Sequence, residues 1–181
     1  MSYEQRHDLR MFTIMGEIAV LPSGQEERPP LLDGHHHRPP VLLYCLNGGH
    51  HLRILPDGTV GGGRLEHDIY DTLRLKAVSP GVVVIRGEAT GRYLAMDQDG
   101  HLYGSVSGPS LWIPPQFLQQ VVNDECYFLE TYEENHYNTY VSQGHPGWYV
   151  GLKRSGEPKV GPKTQQHQKA VYFLPRPVNN L

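Results

Sequence analysis

Three stretches of the chain repeat one pattern, an alternating apolar segment that runs into a polar turn closed by glycine. They read LRILPDG at 52–58, YLAMDQDG at 93–100 and YVGLKRSG at 149–156. Alternation of apolar and polar positions predicts half-buried strands, and the closing glycine predicts a tight turn. The turn glycines at 58, 100 and 156 are 42 and 56 residues apart, and the intervals match once the 14 residues of a proline-rich stretch at 106–119 are removed. A repeat of this length predicts an all-β fold with threefold internal symmetry.

Ten strands follow from the same pattern. We predict them at 41–46, 50–55, 72–78, 82–86, 92–96, 101–103, 126–132, 138–142, 148–152 and 171–174. A second shared element, LRL at 73–75, FLE at 128–130 and FLP at 173–175, follows each glycine turn. Three such units of about four strands would bury their apolar faces in a barrel with a hairpin cap, which is a β-trefoil. No helical pattern follows the glycines at 61–63, so we interpret them as a turn.

The two ends of the pattern suggest the domain boundaries. Residues 1–40 contain five prolines and no strand alternation, so we expect a disordered or loosely ordered N-terminal tail. The β-trefoil domain is expected to occupy residues 41–181, with an inserted loop near 106–119. Three prolines at 109–115 oppose regular strand or helix pairing there, which predicts a surface excursion.

Composition excludes several classes of protein. No window approaches 18 apolar residues, so we expect no membrane span, and the first residues do not resemble a signal peptide. Phosphate-loop, HExxH, GxSxG and CxxC motifs are all missing from the sequence, so we expect neither an enzyme nor a cofactor.

Cys45 and Cys126 lie in strand-like runs and are predicted to be buried thiols. The histidines at 35–37, 50 and 51 do not form a convincing ligand set, so we expect no metal centre.

Charge provides one positive signal. The formal net charge is −3, but residues 153–169 contain five basic residues and a single acid, Glu157. These residues flank glycines and should lie in loops, where Lys side chains and backbone N–H groups converge on anions. A sulfated polysaccharide and nucleic acid both fit such a face. Few aromatic residues are interleaved with the basic ones, which disfavours single-stranded nucleic acid.

Several motifs together resemble the fibroblast growth factor family, and within it the acidic branch. They are LLYCLNGGH at 42–50, LRILPDGTV at 52–60, YLAMD at 93–97, EENHYNTY at 133–140 and GPKT at 161–164. The family signature around a cysteine is also present as ECYFLE at 125–130, followed after six residues by Tyr137. The resemblance covers residues 41–178.

The resemblance implies a β-trefoil ligand that binds and activates a receptor tyrosine kinase ectodomain, with heparan sulfate or heparin as co-receptor, and promotes proliferation and differentiation. It carries heparin binding to Asn47, Lys153, Arg154, Lys159, Lys163 and Lys169. It carries receptor binding to Tyr44, Arg64, Glu130, Asn135, Tyr137 and Leu174. Without a signal peptide, the resemblance implies an extracellular protein exported by an unconventional route, found also in the cytoplasm and nucleus.

Four departures from the family pattern leave alternatives open. Val160 replaces a basic residue of the glycan site, Arg176 replaces a leucine of the receptor patch, HHHR at 35–38 replaces a Lys-rich stretch, and the 106–119 insertion is additional. One alternative is an intracellular trefoil that binds the cytoplasmic tails of ion channels, and another is a glycan-binding trefoil without a receptor. Retention of Tyr44, Asn135 and Tyr137 favours the receptor ligand.

Overall fold

A computed structural model describes residues 38–64, 68–106 and 123–178 of the chain. These residues form ten strands and four short 3-10 helices, with no α-helix among them. The strands are β1 (Val41–Cys45), β2 (His51–Ile54), β3 (Val60–Gly63), β4 (Thr72–Ser79), β5 (Val82–Gly87), β6 (Tyr93–Met96), β7 (Leu102–Ser105), β8 (Phe128–Tyr132), β9 (Asn138–Ser142) and β10 (Phe173–Pro177). The 3-10 helices are Ile69–Asp71, Asp124–Cys126, Gly161–Lys163 and Lys169–Val171. The predicted N-terminal tail, apart from its last three residues, and nearly all of the inserted loop lie outside the described residues.

Six strands close into a barrel. β1 pairs with β10 and β4, β10 with β9, β9 with β8, β8 with β5, and β5 with β4, so the antiparallel ring returns to its start. Two hairpins, β2–β3 and β6–β7, extend from the barrel. A third, irregular hairpin is marked by the isolated bridge between Leu152 and Pro158. A six-stranded barrel with three hairpins is a β-trefoil, and the fold prediction is confirmed.

The three glycine turns tie the repeats to one another. All three glycines adopt the left-handed backbone conformation, with φ of 88° at Gly58, 84° at Gly100 and 93° at Gly156. Each carbonyl accepts a hydrogen bond from an amide of another repeat. The donors are Gly104 to Gly58 (2.7 Å), Gly161 to Gly100 (2.8 Å) and Gly62 to Gly156 (2.7 Å). Because the third bond returns to the first repeat, the turns form a closed cycle.

The second shared element contributes one large core residue from each repeat. Leu73, Phe128 and Phe173 are the equivalent residues of β4, β8 and β10, and all three are fully buried. Burial of each such side chain contributes about 1.5–3 kcal/mol relative to exposure. A 3-10 helix precedes each of these strands, which directs the chain from the cap back into the barrel. The predicted equivalence of the three elements is therefore confirmed.

Three local predictions need correction. The glycines at 61–63 belong to strand β3, not to a turn, and a Cβ on Gly62 would lie 2.5 Å from the Cβ of His50. The last strand is Phe173–Pro177 instead of 171–174, because a 3-10 helix occupies Lys169–Val171. Its two prolines are tolerated because β10 pairs with β9 at Phe173 alone. The predicted strand 148–152 contributes only isolated bridges at Tyr149 and Leu152.

Burial also fits the prediction for the cysteines. The side chains of Cys45 and Cys126 are fully buried, and burial raises the pKa of the Cys126 thiol to about 12 and raises that of Cys45 as well. Both thiols are therefore protonated at neutral pH and weak as nucleophiles.

The described residues on either side of the inserted loop contact each other. The Nδ2 of Asn123 donates hydrogen bonds to the Oγ of Ser105 at 3.1 Å and to the hydroxyl of Tyr103 at 3.3 Å. The Tyr103 hydroxyl also donates to the carboxylate of Glu125. The described residues that precede and follow the inserted loop therefore lie next to each other, at the end of β7.

Candidate functional site

The candidate glycan residue on the first turn lies against the basic loop. The Nδ2 of Asn47 donates to the carbonyl of Leu152 at 3.0 Å, directly before Lys153. Next to it, Gly48 has φ of 84°, and a Cβ there would lie 2.6 Å from the carbonyl oxygen of Arg154. A glycine is therefore required for this approach. The structure brings Asn47, Lys153 and Arg154 together, although they are about a hundred positions apart in sequence.

A hydrogen-bond bridge holds the rest of the basic segment in place. The Nζ of Lys159 donates to the Oε1 of Gln168 at 3.0 Å, and the same oxygen accepts from the backbone N–H of Gln165 at 3.1 Å. Residue 159 is also fixed by its own N–H, which donates to the carbonyl of Gly151 at 2.8 Å. Gln168 therefore connects the loop that carries Lys153 to the loop that carries Lys169.

The remaining candidate cations project from 3-10 helices. Lys163 ends the helix Gly161–Lys163, and Lys169 begins the helix Lys169–Val171. Both side chains are exposed, as are those of Lys153 and Arg154. The single ion pair among the described residues of this surface joins Lys153 Nζ to Glu157 Oε2 at 3.6 Å, with 55% and 71% of the two side chains exposed. Such a pair is weak, so the positive charge remains accessible to an external anion.

We call this set of residues the basic face. It consists of Asn47, Lys153, Arg154, Lys159, Lys163 and Lys169. Hydrogen bonds fix it at several points: from Asn47 to Leu152, from Lys159 to Gln168, and from the Gly161 amide to the carbonyl of Gly100. An array of cations on fixed loops suits a ligand with several sulfate or phosphate groups.

A second candidate surface centres on strands β1 and β10. Tyr44 and Leu174 are register partners across these strands, so their side chains lie side by side on one face. Leu174 is 37% exposed, which is high for a large apolar side chain in a strand. The guanidinium of Arg176 lies over the Tyr44 ring at 5.6 Å from its centroid. The arginine that departs from the family pattern therefore packs on a candidate receptor residue.

The β8–β9 turn supplies two more candidates. The Oδ1 of Asn135 accepts a hydrogen bond from the backbone N–H of Tyr137 at 3.1 Å, which fixes the turn. The ring of Tyr137 contacts that of Tyr172 at 6.3 Å between centroids. Because Tyr172 directly precedes β10, this contact connects the turn to the strand that carries Leu174.

Glu130 and Arg64 are each held by an internal contact. The carboxylate of Glu130 accepts from the guanidinium of Arg38 at 2.7 and 2.9 Å, and only 14% of the Glu130 side chain is exposed. Arg64 donates to the carbonyl of Gly48 at 3.0 Å, next to Gly49 and the hydroxyl of Tyr44. Arg64 therefore lies between the basic face and Tyr44, while Glu130 is bound to the chain that leads into β1.

We call the second set of residues the tyrosine patch. It consists of Tyr44, Arg64, Glu130, Asn135, Tyr137 and Leu174. Sequence analysis missed three residues that shape the two surfaces: Arg38 on Glu130, Gln168 on Lys159, and Arg176 as a cation on Tyr44. The predicted boundary at residue 40 places Arg38 in the tail, and no sequence pattern connects it to a residue 92 positions away.

The barrel, its three hairpins and these two surfaces define the class, a β-trefoil with a cationic loop face and an aromatic patch. A family model described as "Fibroblast growth factor" matches residues 40–174. A Cynops pyrrhogaster protein named "Fibroblast growth factor 1" is 51% identical over 173 residues, which is 94% of this chain and 100% of the relative. A Xenopus laevis protein of the same name is 43% identical over 174 residues, which is 95% of this chain and 96% of the relative. The chain belongs to the fibroblast growth factor family and is a growth factor.

No helix in the described part of the chain has the length and apolar character needed to cross a lipid bilayer.

Proposed function

We propose that this growth factor binds and activates a fibroblast growth factor receptor tyrosine kinase, with heparan sulfate or heparin as co-receptor. Family membership supports the general role, and the basic face supports the glycan as partner. The observation that supports this most is the presence of two surfaces of different chemistry, the cationic basic face and the aromatic tyrosine patch, which adjoin at Arg64 on one β-trefoil. A ligand with this arrangement can contact a glycan and a receptor ectodomain at the same time, so each contact raises the effective concentration of the other.

Heparin recognition is attributed to the exposed cations of the basic face. Each exposed ion pair contributes about 0.2–1 kcal/mol, so several together produce an affinity that falls with salt. Because the ligand binds the native state, saturating heparin should raise the melting temperature by mass action. A melting curve that does not change with heparin would argue against a preformed site.

The heparin site can be tested with two matched triple variants. Replacement of Lys153, Lys163 and Lys169 by Ala should shift elution from a heparin column to clearly lower salt. The control replaces three cations of the β4–β5 hairpin by Ala: Arg74, Lys76 and Arg86. Both variants lose three positive charges, but the control cations lie outside the basic face. The control should therefore elute close to the wild type. Equal shifts in the two variants would mean that net charge, not the basic face, determines binding.

Receptor recognition is attributed to the tyrosine patch. Tyrosine is enriched among residues whose truncation costs binding energy, because its ring fills apolar pockets and its hydroxyl bonds at the rim. Tyr44 and Tyr137 lie beside Leu174 and Tyr172, respectively, so truncation removes part of a continuous surface. The interface would be apolar at its centre and polar at Asn135 and Arg64.

Receptor phosphorylation on cells, with and without added heparin, tests the proposal. We expect the protein to cause phosphorylation that heparin increases. A protein that binds heparin but causes no phosphorylation would support the glycan-binding trefoil without a receptor. A protein that neither elutes late from heparin nor causes phosphorylation would support the intracellular alternative, which binds channel tails. The proposal also includes export by an unconventional route and the absence of enzymatic activity.

A further inference from the structure

Two positions of the first repeat differ in chemistry from their equivalents. The residue seven positions before each turn glycine is tyrosine in the second and third repeats and histidine in the first. These residues are His51, Tyr93 and Tyr149. The last residue of the 3-10 helix that precedes β4, β8 and β10 is buried in all three repeats. These residues are Asp71, Cys126 and Val171. The first repeat therefore has an acid and a base where the other repeats have apolar and aromatic residues.

The acid and the base contact each other in the interior. Asp71 is 1% exposed, and its Oδ2 lies 3.8 Å from the Nδ1 of His51, whose side chain is 15% exposed. Neither carboxylate oxygen has a hydrogen-bond partner among the described residues, and the same is true of the Nε2 of His51. A buried carboxylate without hydrogen bonds is costly. Burial therefore favours the state of the pair in which Asp71 carries a proton and His51 is neutral.

The charges around the pair come from several elements. They are His50 directly before β2, Arg53 on β2, Asp68 before the 3-10 helix Ile69–Asp71, and Arg176 on β10. Arg53 Nη1 is bound to Asp68 Oδ2 at 3.3 Å, so its charge is largely satisfied there. Asp68 opposes ionisation of Asp71, and Arg176 and His50 oppose protonation of His51. Among the described charges, Arg53 favours an ionised Asp71, but its effect is smaller than that of burial.

These contacts shift the two pKa values in opposite directions. Burial, and to a smaller degree the charge of Asp68, raises the pKa of Asp71 to about 7. Burial, and then Arg176, lowers the pKa of His51. Native Asp71 retains a proton that the unfolded chain releases near its ordinary pKa of 3.8. The contribution of this carboxyl to stability is therefore present below that value and is lost as pH rises toward 7.

The pair supports the ring of Tyr44. His51 and Tyr44 are register partners across β1 and β2, and their rings meet edge-on at 6.0 Å between centroids. The Arg176 guanidinium also lies over that ring, at 5.6 Å from its centroid. A proton leaving Asp71 places a negative charge beside His51, which must turn or bind that proton. Either response alters the packing of Tyr44, one of the six residues of the tyrosine patch.

We propose that the buried His51–Asp71 pair is a proton-linked switch that sets the packing of Tyr44 on the tyrosine patch. Loss of the proton near neutral pH destabilises the position of His51 beside the Tyr44 ring, and gain of the proton restores it. The consequence for receptor binding rests on the proposed function. The movement of Tyr44 does not rest on it, because the geometry lies within the chain itself.

The test is a pH titration followed by nuclear magnetic resonance on wild-type protein. The carboxyl carbon of Asp71 should titrate near pH 7, and the ring protons of Tyr44 should shift with the same midpoint. Titration of Asp71 near its ordinary value of 3.8 would overturn the proposal. Chemical shifts of the Tyr44 ring protons that stay constant while Asp71 titrates would also overturn it.

Asp71→Asn provides an independent measurement, because it keeps the shape and His51 but removes the ionisation. Between pH 5 and 7 the unfolding constant of the wild type should rise relative to that of the variant by roughly tenfold per pH unit. The Tyr44 shift should disappear in the variant. A wild-type curve parallel to that of the variant would contradict the switch. If Asp71→Asn does not fold, the wild-type spectra decide alone. If no receptor binds at any pH, the proposed function fails, but the nuclear magnetic resonance titrations still test whether Asp71 controls the packing of Tyr44.

Discussion

Replacement of Gly100 by Ala tests the cyclic arrangement of turns and its role in placing the basic face. Gly100 has φ of 84°, and an added Cβ would lie 2.4 Å from the Cδ of Pro162 and 2.8 Å from the amide nitrogen of Gly161. The clash is with backbone and a rigid ring, so the helix Gly161–Lys163 must move. That movement breaks the 2.8 Å hydrogen bond between the Gly161 amide and the Gly100 carbonyl.

Gly81→Ala is the matched control. Gly81 has φ of 75°, and nothing lies within 4 Å of an added Cβ, so this variant isolates the backbone cost. The left-handed conformation costs alanine about 1–2 kcal/mol. Alanine also lowers the conformational entropy of the unfolded chain, which offsets about 0.4–1 kcal/mol of that cost. We therefore expect Gly81→Ala to cost about 1 kcal/mol. Gly100→Ala adds about 1–3 kcal/mol for the clash and about 1 kcal/mol for the lost hydrogen bond, for a total of about 3–5 kcal/mol.

Urea denaturation of both variants provides the measurement. The free energy of unfolding of Gly100→Ala should fall below that of Gly81→Ala by about 2–4 kcal/mol, since only the former has the additional clash and lost bond. Because the clash displaces Lys163, Gly100→Ala should also elute from heparin at lower salt, whereas Gly81→Ala should not. Equal stability of the two variants would refute the claim that the turns interlock. If Gly100→Ala is destabilised but its elution from heparin is unchanged, the Gly100 turn does not position the basic face.

Three further predictions concern other parts of the structure. Arg38→Ala should lower the free energy of unfolding by about 1–2 kcal/mol in urea denaturation, because it removes the cation that pairs with the mostly buried Glu130. Arg74→Ala breaks a more exposed pair and should cost less than about 1 kcal/mol, and equal costs would count against the Arg38 contact. Tyr137→Ala should weaken receptor binding by about 2 kcal/mol or more in a biosensor assay with its circular dichroism spectrum intact, and near wild-type affinity would remove it from the tyrosine patch. Deletion of 106–119 should change the melting temperature little, because closure entropy grows slowly with loop length, and a large loss would make the loop part of the core.

The sequence was sufficient for the fold because the repeat is visible in residue spacing. The turn glycines at 58, 100 and 156 adopt a positive φ that favours glycine, so their spacing marks the three repeats in the sequence. The triple glycine at 61–63 was misinterpreted because glycine usually weakens strands, whereas at Gly62 the side chain of His50 occupies the space that a Cβ would need. Tertiary packing, not local propensity, determines that strand.

The two surfaces could be predicted only in part. Motifs indicated which cations and tyrosines to examine, since loops around glycines expose their side chains. They could not reveal that Arg38 binds Glu130 or that Arg176 covers Tyr44, because those contacts depend on which strands become neighbours in the closed barrel. The contact of His51 with Asp71 joins strand β2 to a 3-10 helix, and no sequence pattern pairs these two elements.

The most direct test of the account is binding of purified receptor ectodomain, measured with and without heparin, to variants that affect one surface each. The account predicts that Tyr137→Ala loses receptor binding and keeps heparin binding. It predicts the reverse for the Lys153, Lys163 and Lys169 triple variant, which should bind receptor alone like the wild type but gain nothing from heparin. Receptor binding that is unaffected by Tyr137→Ala, or still enhanced by heparin in the triple variant, would contradict the assignment of the two surfaces.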